Sequence, residues 1–538
     1  MPSLNHQHSS DERASTRAGH LNRTEALAEA RNEGVWDVVI IGGGATGLGA
    51  AVDASSRGLR TLLLERSDFA KGTSSRSTKL VHGGVRYLKQ GRIRMVMKAL
   101  RERDLLLKNA PHLVNLRQFV VPCRNYAQIG FYGIGLKLYD ILASGRGLPS
   151  SRVLGRSAVI REQEGVNDTH LAGGIEYSDG QFDDSRLALA LAQTCVREGG
   201  TVINYCNVKA LSKNAQMLME VQVTDLESGG EFSVTARSVI NATGVFVDEV
   251  REMEGPRKES LIRASQGVHL VLPASFLPGP AAVMVPSTDD GRVLFCIPWK
   301  RHALLGTTDT PVESIDTEPR AFEEEIAFLI GHAGRYLKKA PSRSDVLSVF
   351  VGLRPLIGNS KGPTKSVSRE HLILESESGL ITITGGKWTT YRYMAEQVVN
   401  RVCQRIGASD RMCVTSDLPI YGYSDDNDRD AMYSEYGSDR LALIKTIQED
   451  AQGDEPLHPD LPFVMGQVTW ALKHEMAHTV EDVLARRMRA LFLNAAASIE
   501  MAPAVAQKMA SYLDKDSDWI EKQVSSFTSL ASRYQLQP

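Results

Sequence analysis

The sequence is poor in the features that would place it at once in several large classes. Its six cysteines, Cys123, Cys195, Cys206, Cys296, Cys403 and Cys413, form no CxxC or CxxxxC pair and stand at no His/Cys ligand spacing. That pattern excludes a disulfide reductase and a zinc site, leaves no metal expected, and implies a reducing compartment. No apolar run approaches the roughly 18–20 residues that span a bilayer. Lys plus Arg number 62 against 64 Asp plus Glu, a net charge of −2. There is thus no basic field of the kind nucleic acid requires, and no nucleic-acid partner is expected. A chain of 538 residues exceeds what one hydrophobic core usually organises, so two or three domains follow.

What is there begins with a polar head. It is rich in Ser and Arg but interrupted by Asp11, Glu12, Glu25 and Glu29, which suits neither a signal peptide nor a transit peptide. Residues 1–35 are expected to be a disordered tail, with 25–31 as a minor helical candidate. Order starts at Trp36. Residues 37–41 form a short apolar run closed by glycines, as in a strand buried on both faces of a parallel sheet. Ala50, Ala51 and Ala54 then favour a helix, Gly58 suits its end, and 61–65 reads as a second buried strand. The same alternation returns as a helix over 185–198 and strands over 201–204 and 238–241. Between about 262 and 310 the pattern becomes antiparallel, with strands over 267–272, 282–286, 292–298 and 302–307 and a turn at Asp289-Asp290-Gly291. A strand over 379–385 leads back to a helix in which Met394, Val398 and Val402 recur every four residues. Beyond about 412 the chain reads as helical and amphipathic.

Gly42-Gly43-Gly44-Ala45-Thr46-Gly47 satisfies GxGxxG between a buried strand and a helix, the context in which that motif binds a dinucleotide. Gly42 permits the turn, Gly44 admits a pyrophosphate, and Gly47 lets the helix pack close to the sheet. Glu65 ends the second strand where a carboxylate accepts the ribose hydroxyls, with Arg66 beside it. NAD and FAD both fit this much. A second glycine-ended strand closing in Ala242-Thr243-Gly244, and a late helix start at Gly385-Gly386-Lys387, favour FAD. Reduced flavin carries negative charge at its N1/C2=O edge, which a helix N-terminus or a lysine stabilises.

The sequence resembles the FAD-dependent glycerol-3-phosphate dehydrogenase family. The resemblance rests on Gly42 to Gly47, on the run from Gly72-Thr73-Ser74-Ser75 through Lys79-Leu80-Val81-His82-Gly83-Gly84 to Arg86-Tyr87-Leu88, on Gly306-Thr307-Thr308-Asp309, on Gly352-Leu353-Arg354-Pro355, and on Gly385 through Trp388-Thr389-Thr390-Tyr391 to Arg392. It covers residues 37 to about 406, and the helical tail resembles the family's C-terminal domain. It implies an α/β fold: a Rossmann-like FAD-binding domain, an antiparallel β-sheet substrate domain as in amino-acid oxidases, and a C-terminal α-helical domain. The expected boundaries are 36–411 for the oxidoreductase region, with FAD-binding parts at 36–115, 181–255 and 350–411 and substrate parts at 116–180 and 256–349, then 412–538 for the helices.

Residue chemistry agrees with that resemblance. Thr73, Ser74, Ser75 and Lys79 suit pyrophosphate and ribityl oxygens, with Leu80 and His82 beside them. Gly83 and Gly84 would let backbone approach the isoalloxazine ring, and Gly386, Lys387, Trp388 and Thr389 complete the expected cofactor contacts. Arg86, Arg354 and Lys387 are the candidate cations for a phosphomonoester and for charge at the alcohol, and Tyr87 and Thr307 offer hydroxyls to the substrate. Strand alternation sets His269 opposite Val268, Leu270 and Leu272, so it can face a cavity and take a hydroxyl proton; Arg354 is the alternative group for that proton. Gln266 stands where the family commonly carries Lys, so local electrostatics are expected to differ.

The implied reaction is oxidation of sn-glycerol 3-phosphate to dihydroxyacetone phosphate by hydride transfer to non-covalent FAD, with electrons passed to a membrane quinone. The implied location is cytoplasmic or peripheral on the inner face of the cytoplasmic membrane, and a homodimer stays open. Arg486, Arg487 and Arg489 beside Leu484, Met488, Leu491 and Phe492 form a basic amphipathic stretch with two readings, a surface for lipid headgroups or, the commoner case, an ordinary domain face. Three rivals remain on sequence grounds: an oxidase using oxygen, an amine or amino-acid oxidase of the same fold, and a flavin-bound interaction module without catalysis.

Overall fold

The computed structural model describes residues 19–89, 91–143, 149–255, 259–358, 370–425 and 432–536, with the backbone alone at 86 and 89. Two large sheets carry the architecture. In the first, the strand Val35–Ile41 lies between Thr61–Leu64 and Glu231–Asn241 and parallel to both; Thr201–Ile203 extends it on one side and Leu380–Gly385 on the other. Val38, Val39 and Ile40 are fully buried because both faces are covered, one by helices and the other by the antiparallel strands Cys206–Lys213 and Met219–Asp225 with the helix Arg23–Arg31. Burial on both faces is what a parallel sheet requires. The helices Ala45–Ser56 and Tyr391–Ile406 pack against each other there, and Met394, Val398 and Val402 form the buried stripe their spacing predicts.

The second sheet is largely antiparallel and has ten strands. Its central strand, Ile262–Pro273, is flanked by His302–Gly306 and by Ser348–Ile357. Two sequence boundaries therefore shift. Ser348–Ile357 belongs to this sheet and not to the FAD-binding part expected from residue 350, and Leu80–Val81 also pairs here, with Gly173–Phe182. In both cases a strand crosses from one unit to the other, and apolar content does not report which neighbour it pairs with.

The C-terminal helices pack on the back of this sheet. Phe350 joins Phe492, Leu484, Met501 and Val505 in one core, so helices laid down last support the strand that faces the cavity. A two-stranded sheet, Pro456–His458 with Leu461–Val464, interrupts the expected all-helical composition.

Two expectations are corrected. The tail was expected to be disordered through residue 35, yet Arg23–Arg31 is a helix capped by Asn22. Arg23 is buried and pairs with Asp225 at 2.5 Å, while Leu27 and Ala30 pack against the Trp36 cluster. A distant carboxylate and an apolar shelf, invisible locally, supply the order; residues 1–18 lie outside the described residues. Of the two readings of the basic stretch, the lipid-facing one falls, because the stretch is buried. Arg486, Arg487 and Arg489 are 2%, 3% and 0% exposed. Asp68 accepts from Arg486 and Arg487, Glu481 and Asp482 take two further bonds of Arg486, and Arg489 reaches Asp184 at 3.2 Å. Buried guanidinium groups need such carboxylates, and three of these four lie in the loop after the second parallel strand or within one helical turn of Arg486.

Candidate functional site

The two sheets meet over a cavity of about 950 Å³, near the upper end for ligand sites, roughly 300–1,000 Å³. The glycine turn forms its far end. Gly42 sits at φ +110°, where a Cβ would press on the Ala242 carbonyl at 2.8 Å, and a Cβ at Gly47 would lie 1.9 Å from the Gly42 carbonyl. Only glycine lets the helix enter so close to the strand. Gly44, Ala45 and Thr46 line the cavity at the amino end of that helix, where the dipole favours a phosphate. Ser74 Oγ accepts the Ala45 N–H at 2.9 Å. Glu65 accepts the N–H groups of Gly43 at 2.6 Å and Ser67 at 2.8 Å, while burial holds its carboxyl above the usual carboxylate range. Further donors, such as ribose hydroxyls, would relieve that strain on the charge. Arg66 stacks on Phe246 at 4.0 Å from the ring centre, and Ala242, Thr243 and Gly244 close the opposite wall. This glycine-lined cradle, with a helix dipole at one side and a carboxylate at the other, fits the dinucleotide half of FAD.

The middle of the cavity is lined by Thr73, Ser74, Leu80, His82, Gly84, Gly386, Lys387, Trp388 and Thr389. Trp388 Nε1 donates to the Ser74 carbonyl at 2.8 Å, and the His82 N–H donates to Thr389 Oγ1 at 3.1 Å. The late helix start is thereby tied to the loop that follows the second strand. Gly385 and Gly386 adopt φ of +83° and +73°, the left-handed turn that brings Lys387 inward, with its Nζ 3.8 Å from the centre of the Tyr87 ring.

Three residues expected at the cofactor face elsewhere. Lys79 Nζ is fully buried and donates to the Ser75 and Ser77 carbonyls and to Asp184. Burial pushes its pKa down to about 8 against the opposing pull of Asp184. It ties the loop together from behind and does not reach the cavity. Ser75 is buried with its hydroxyl toward Gly72, so of the serine pair Ser74 alone lines the cavity. The space at Gly83 is taken by Tyr139 and Leu100 and not by a ligand. Adjacent loop positions point to opposite sides, which residue type alone does not reveal. The side chain of Arg86 lies outside the described residues.

At the near end, register places the reacting candidates on one face. Along neighbouring strands His269 stands opposite Phe350, Gly267 opposite Gly352, and Ser265 opposite Arg354. The two glycines clear the floor: a Cβ at Gly267 would sit 2.2 Å from Arg354 Nη2, and one at Gly352 would sit 2.8 Å from the Arg76 carbonyl. Arg354 donates to the Gln266 carbonyl and to Thr307 Oγ1, both at 3.2 Å, and lies 3.5 Å from Asp309. His269 stacks on Phe350 at 4.9 Å, and its Nε2 is 2.8 Å from Thr78 Oγ1. Burial first, then the charges of Lys79 and Arg354, hold the imidazole well below its ordinary pKa, so it is neutral at neutral pH. Thr78 and Asp309 were assigned no role from sequence. Both sit inside the quoted motifs, but only the fold brings Thr78 to a histidine 191 positions away.

The chain matches the model of the FAD dependent oxidoreductase family over residues 37–392 and that of the C-terminal domain of alpha-glycerophosphate oxidase over 379–519. It is 39% identical to the probable mitochondrial glycerol-3-phosphate dehydrogenase of Caenorhabditis elegans, over 89% of this chain and 70% of that protein. It is 37% identical to the mitochondrial glycerol-3-phosphate dehydrogenase of Homo sapiens, over 92% and 73% respectively. Among solved structures it is similar to the glycerol-3-phosphate dehydrogenase of Bacillus halodurans complexed with FAD, with a TM-score of 0.77, 28% identity, and coverage of 96% of this chain and 99% of that one. The L-alpha-glycerophosphate oxidase of Mycoplasma pneumoniae shares the fold, with a TM-score of 0.55 at 16% identity over 69% of this chain and 95% of that one.

Proposed function

The chain belongs to the glycerol-3-phosphate dehydrogenase family of FAD-dependent oxidoreductases, and from that premise we propose how its residues oxidise sn-glycerol 3-phosphate to dihydroxyacetone phosphate. The observation that carries the reading is the shared floor on which His269 and Arg354 stand one glycine pair apart, at the opposite end of the same cavity from Gly42 and Glu65. Bound FAD supplies a hydride acceptor. Arg354 and Lys387, with Tyr87, Thr307 and Arg86, bind the phosphate and the developing alkoxide; the fork of Arg354 is already held at Gln266 and Thr307 and loses little freedom on binding. His269, neutral and fixed by Phe350 and Thr78, takes the C2 hydroxyl proton as the C2 hydride leaves. The two negative charges of the phosphate offset Lys79 and Arg354, the groups that otherwise disfavour the imidazolium.

An anaerobic titration tests this. Glycerol 3-phosphate bleaches the flavin, whereas amino acids do not; the reverse result sinks the reading. Arg354→Ala keeps FAD bound and lowers the reduction rate by at least about a hundredfold.

The electron acceptor is a membrane quinone, reached by peripheral attachment. No described helix is long and apolar enough to cross a membrane, but the helix Tyr126–Leu142 supports a lipid-facing surface. Phe131, Ile134, Leu138 and Ile141 form an outward stripe at 58%, 76%, 41% and 65% exposure. The first three also line the cavity mouth. The neighbouring helix Ile93–Asn109 exposes Arg94 and Arg101 beside Ile93 and Met97. An apolar stripe flanked by cations suits the headgroup boundary, and an apolar mouth suits an acceptor dissolved in lipid. Reduced enzyme that reacts faster with oxygen than with a quinone in vesicles would make it an oxidase.

A further inference from the structure

One buried carboxylate lies beneath both reacting candidates without lining the cavity. Glu325 stands in the first turn of the helix Glu323–Tyr336 and is 5% exposed. Its Oε1 accepts from the hydroxyls of Thr308 at 2.8 Å and Thr310 at 2.5 Å. Its Oε2 accepts from Gln266 Nε2 at 2.5 Å and from the Phe322 N–H at 3.1 Å.

Each side-chain donor leads to the reacting end. The carbonyl of Gln266 accepts from Arg354, and Thr307, bonded to the same guanidinium, precedes Thr308 in the chain. Thr308 Oγ1 also accepts the N–H of Val268 at 3.0 Å, next to His269. Thr310 carries the segment on to its pairing with Gln266. The sense of these bonds follows from chemistry. A carboxylate has no hydrogen to give, so Thr308 must donate to it and keeps a lone pair for Val268; Gln266 must turn its NH₂ inward. Directional order of this kind makes the polar network rigid.

We propose that Glu325 is a positioning residue for the alcohol oxidation: it fixes the donor sense of Gln266, Thr308 and Thr310, and so aims Arg354 and His269 at the substrate. The proposal rests on the function given above. Glu325→Gln keeps the shape but replaces one accepting oxygen by an NH₂ that competes with the donors it faces.

The test is anaerobic rapid-mixing reduction of the full-length, FAD-loaded protein by sn-glycerol 3-phosphate, with rates taken per bound flavin. In Glu325→Gln the apparent substrate Kd rises about tenfold and the limiting reduction rate falls about tenfold. FAD affinity and reduction by dithionite stay at wild-type values, which separates aim from general damage. Thr310→Val removes one donor of the four, covers the case that Glu325→Gln does not fold, and shows a smaller loss of about threefold in the same two constants. A folded, flavin-loaded variant with both constants within about twofold of wild type overturns the proposal, as does a loss confined to FAD affinity. Wild-type flavin that glycerol 3-phosphate fails to bleach is a different failure: it removes the underlying function, and this role with it.

Discussion

Residues 482–493 and the helix Tyr126–Leu142 invert each other. The first segment carries three arginines and lies in the interior; the second carries Phe131, Ile134, Leu138 and Ile141 on its outer face and leaves them in solvent. Amphipathic pattern marks which side chains share a face but not what that face meets. Arg486 and Arg487 are interior because Asp68, from the loop after the second parallel strand, arrives from more than four hundred residues away, and Arg489 because it donates to Asp184 and to the Ser75 carbonyl. The apolar stripe stays 41–76% exposed. Burial of charge depends on which partners the fold delivers, and neither that nor the exposure of an apolar face can be read from the pattern of one helix.

The sharpest way to break this contrast is to remove the partner. Asp68→Asn leaves Arg486 and Arg487 desolvated with one carboxylate fewer, and about 3–5 kcal/mol is lost, read as a lower urea midpoint. Burial pushes the carboxyl of Asp68 up, but Arg487 and Arg486 outweigh it and hold it far below the usual carboxylate range, so it is charged in the native protein at neutral pH. A midpoint close to wild type would mean that the C-terminal helices hold their place by apolar packing alone.

A change on the apolar helix should behave in the opposite way. Ile134→Glu alters stability by less than about 0.5 kcal/mol, since the side chain already faces water. It costs about 1.5–3 kcal/mol of membrane insertion, at least tenfold in cosedimentation with anionic vesicles. Quinone reduction in vesicles falls with it, while reduction of a water-soluble dye does not. Equal sedimentation of variant and wild type would refute the lipid-facing assignment.

The same contrast explains how much was legible in sequence. The dinucleotide end was readable almost residue by residue, because Gly42 to Gly47 and Glu65 are contiguous or separated by a single βαβ unit. His269 was readable as cavity-facing because strand alternation is local. Lys79 and Ser75 were not, because a loop has no period from which to tell front from back. Thr78, Asp309 and Asp68 act on partners that only the completed sheets bring near, and no spacing in the chain encodes those distances. Legibility fell as sequence separation grew.

Acid provides a third probe, directed at the seam around the C-terminal helices. His112, His474 and His478 each have their pKa pushed down to about 4 by burial. At pH 7 these imidazoles are neutral in folded and unfolded chains alike, so nothing is lost. As pH falls from 6.5 towards 4 the unfolded chain takes protons that the native state refuses, and stability declines through that window. The paired carboxylates act lower: Glu481, held at about 2, loses its contribution only below its ordinary 4.5. His112→Asn should therefore flatten the melting-temperature profile between pH 6.5 and 4.5, recovering about 1 kcal/mol at pH 5.5 relative to its own value at pH 7. An unchanged slope would place the acid sensitivity elsewhere.

The smallest effect is the control that gives the largest its meaning. Lys108 and Asp417 pair at 2.6 Å, but their side chains are 60% and 73% exposed. Arg186 and Glu475 pair at 2.7 Å with 6% and 1% exposed. Distance being equal, Coulomb attraction alone would rank the two alike. Solvent screening and the freedom of two long side chains leave the exposed pair with almost no net contribution, whereas breaking the buried one strands a charge in the core. Lys108→Ala should leave the urea midpoint unchanged within error in low and high salt. Should it cost as much as a buried pair, distance rather than desolvation would be ranking these bridges, and the buried arginines would need another explanation.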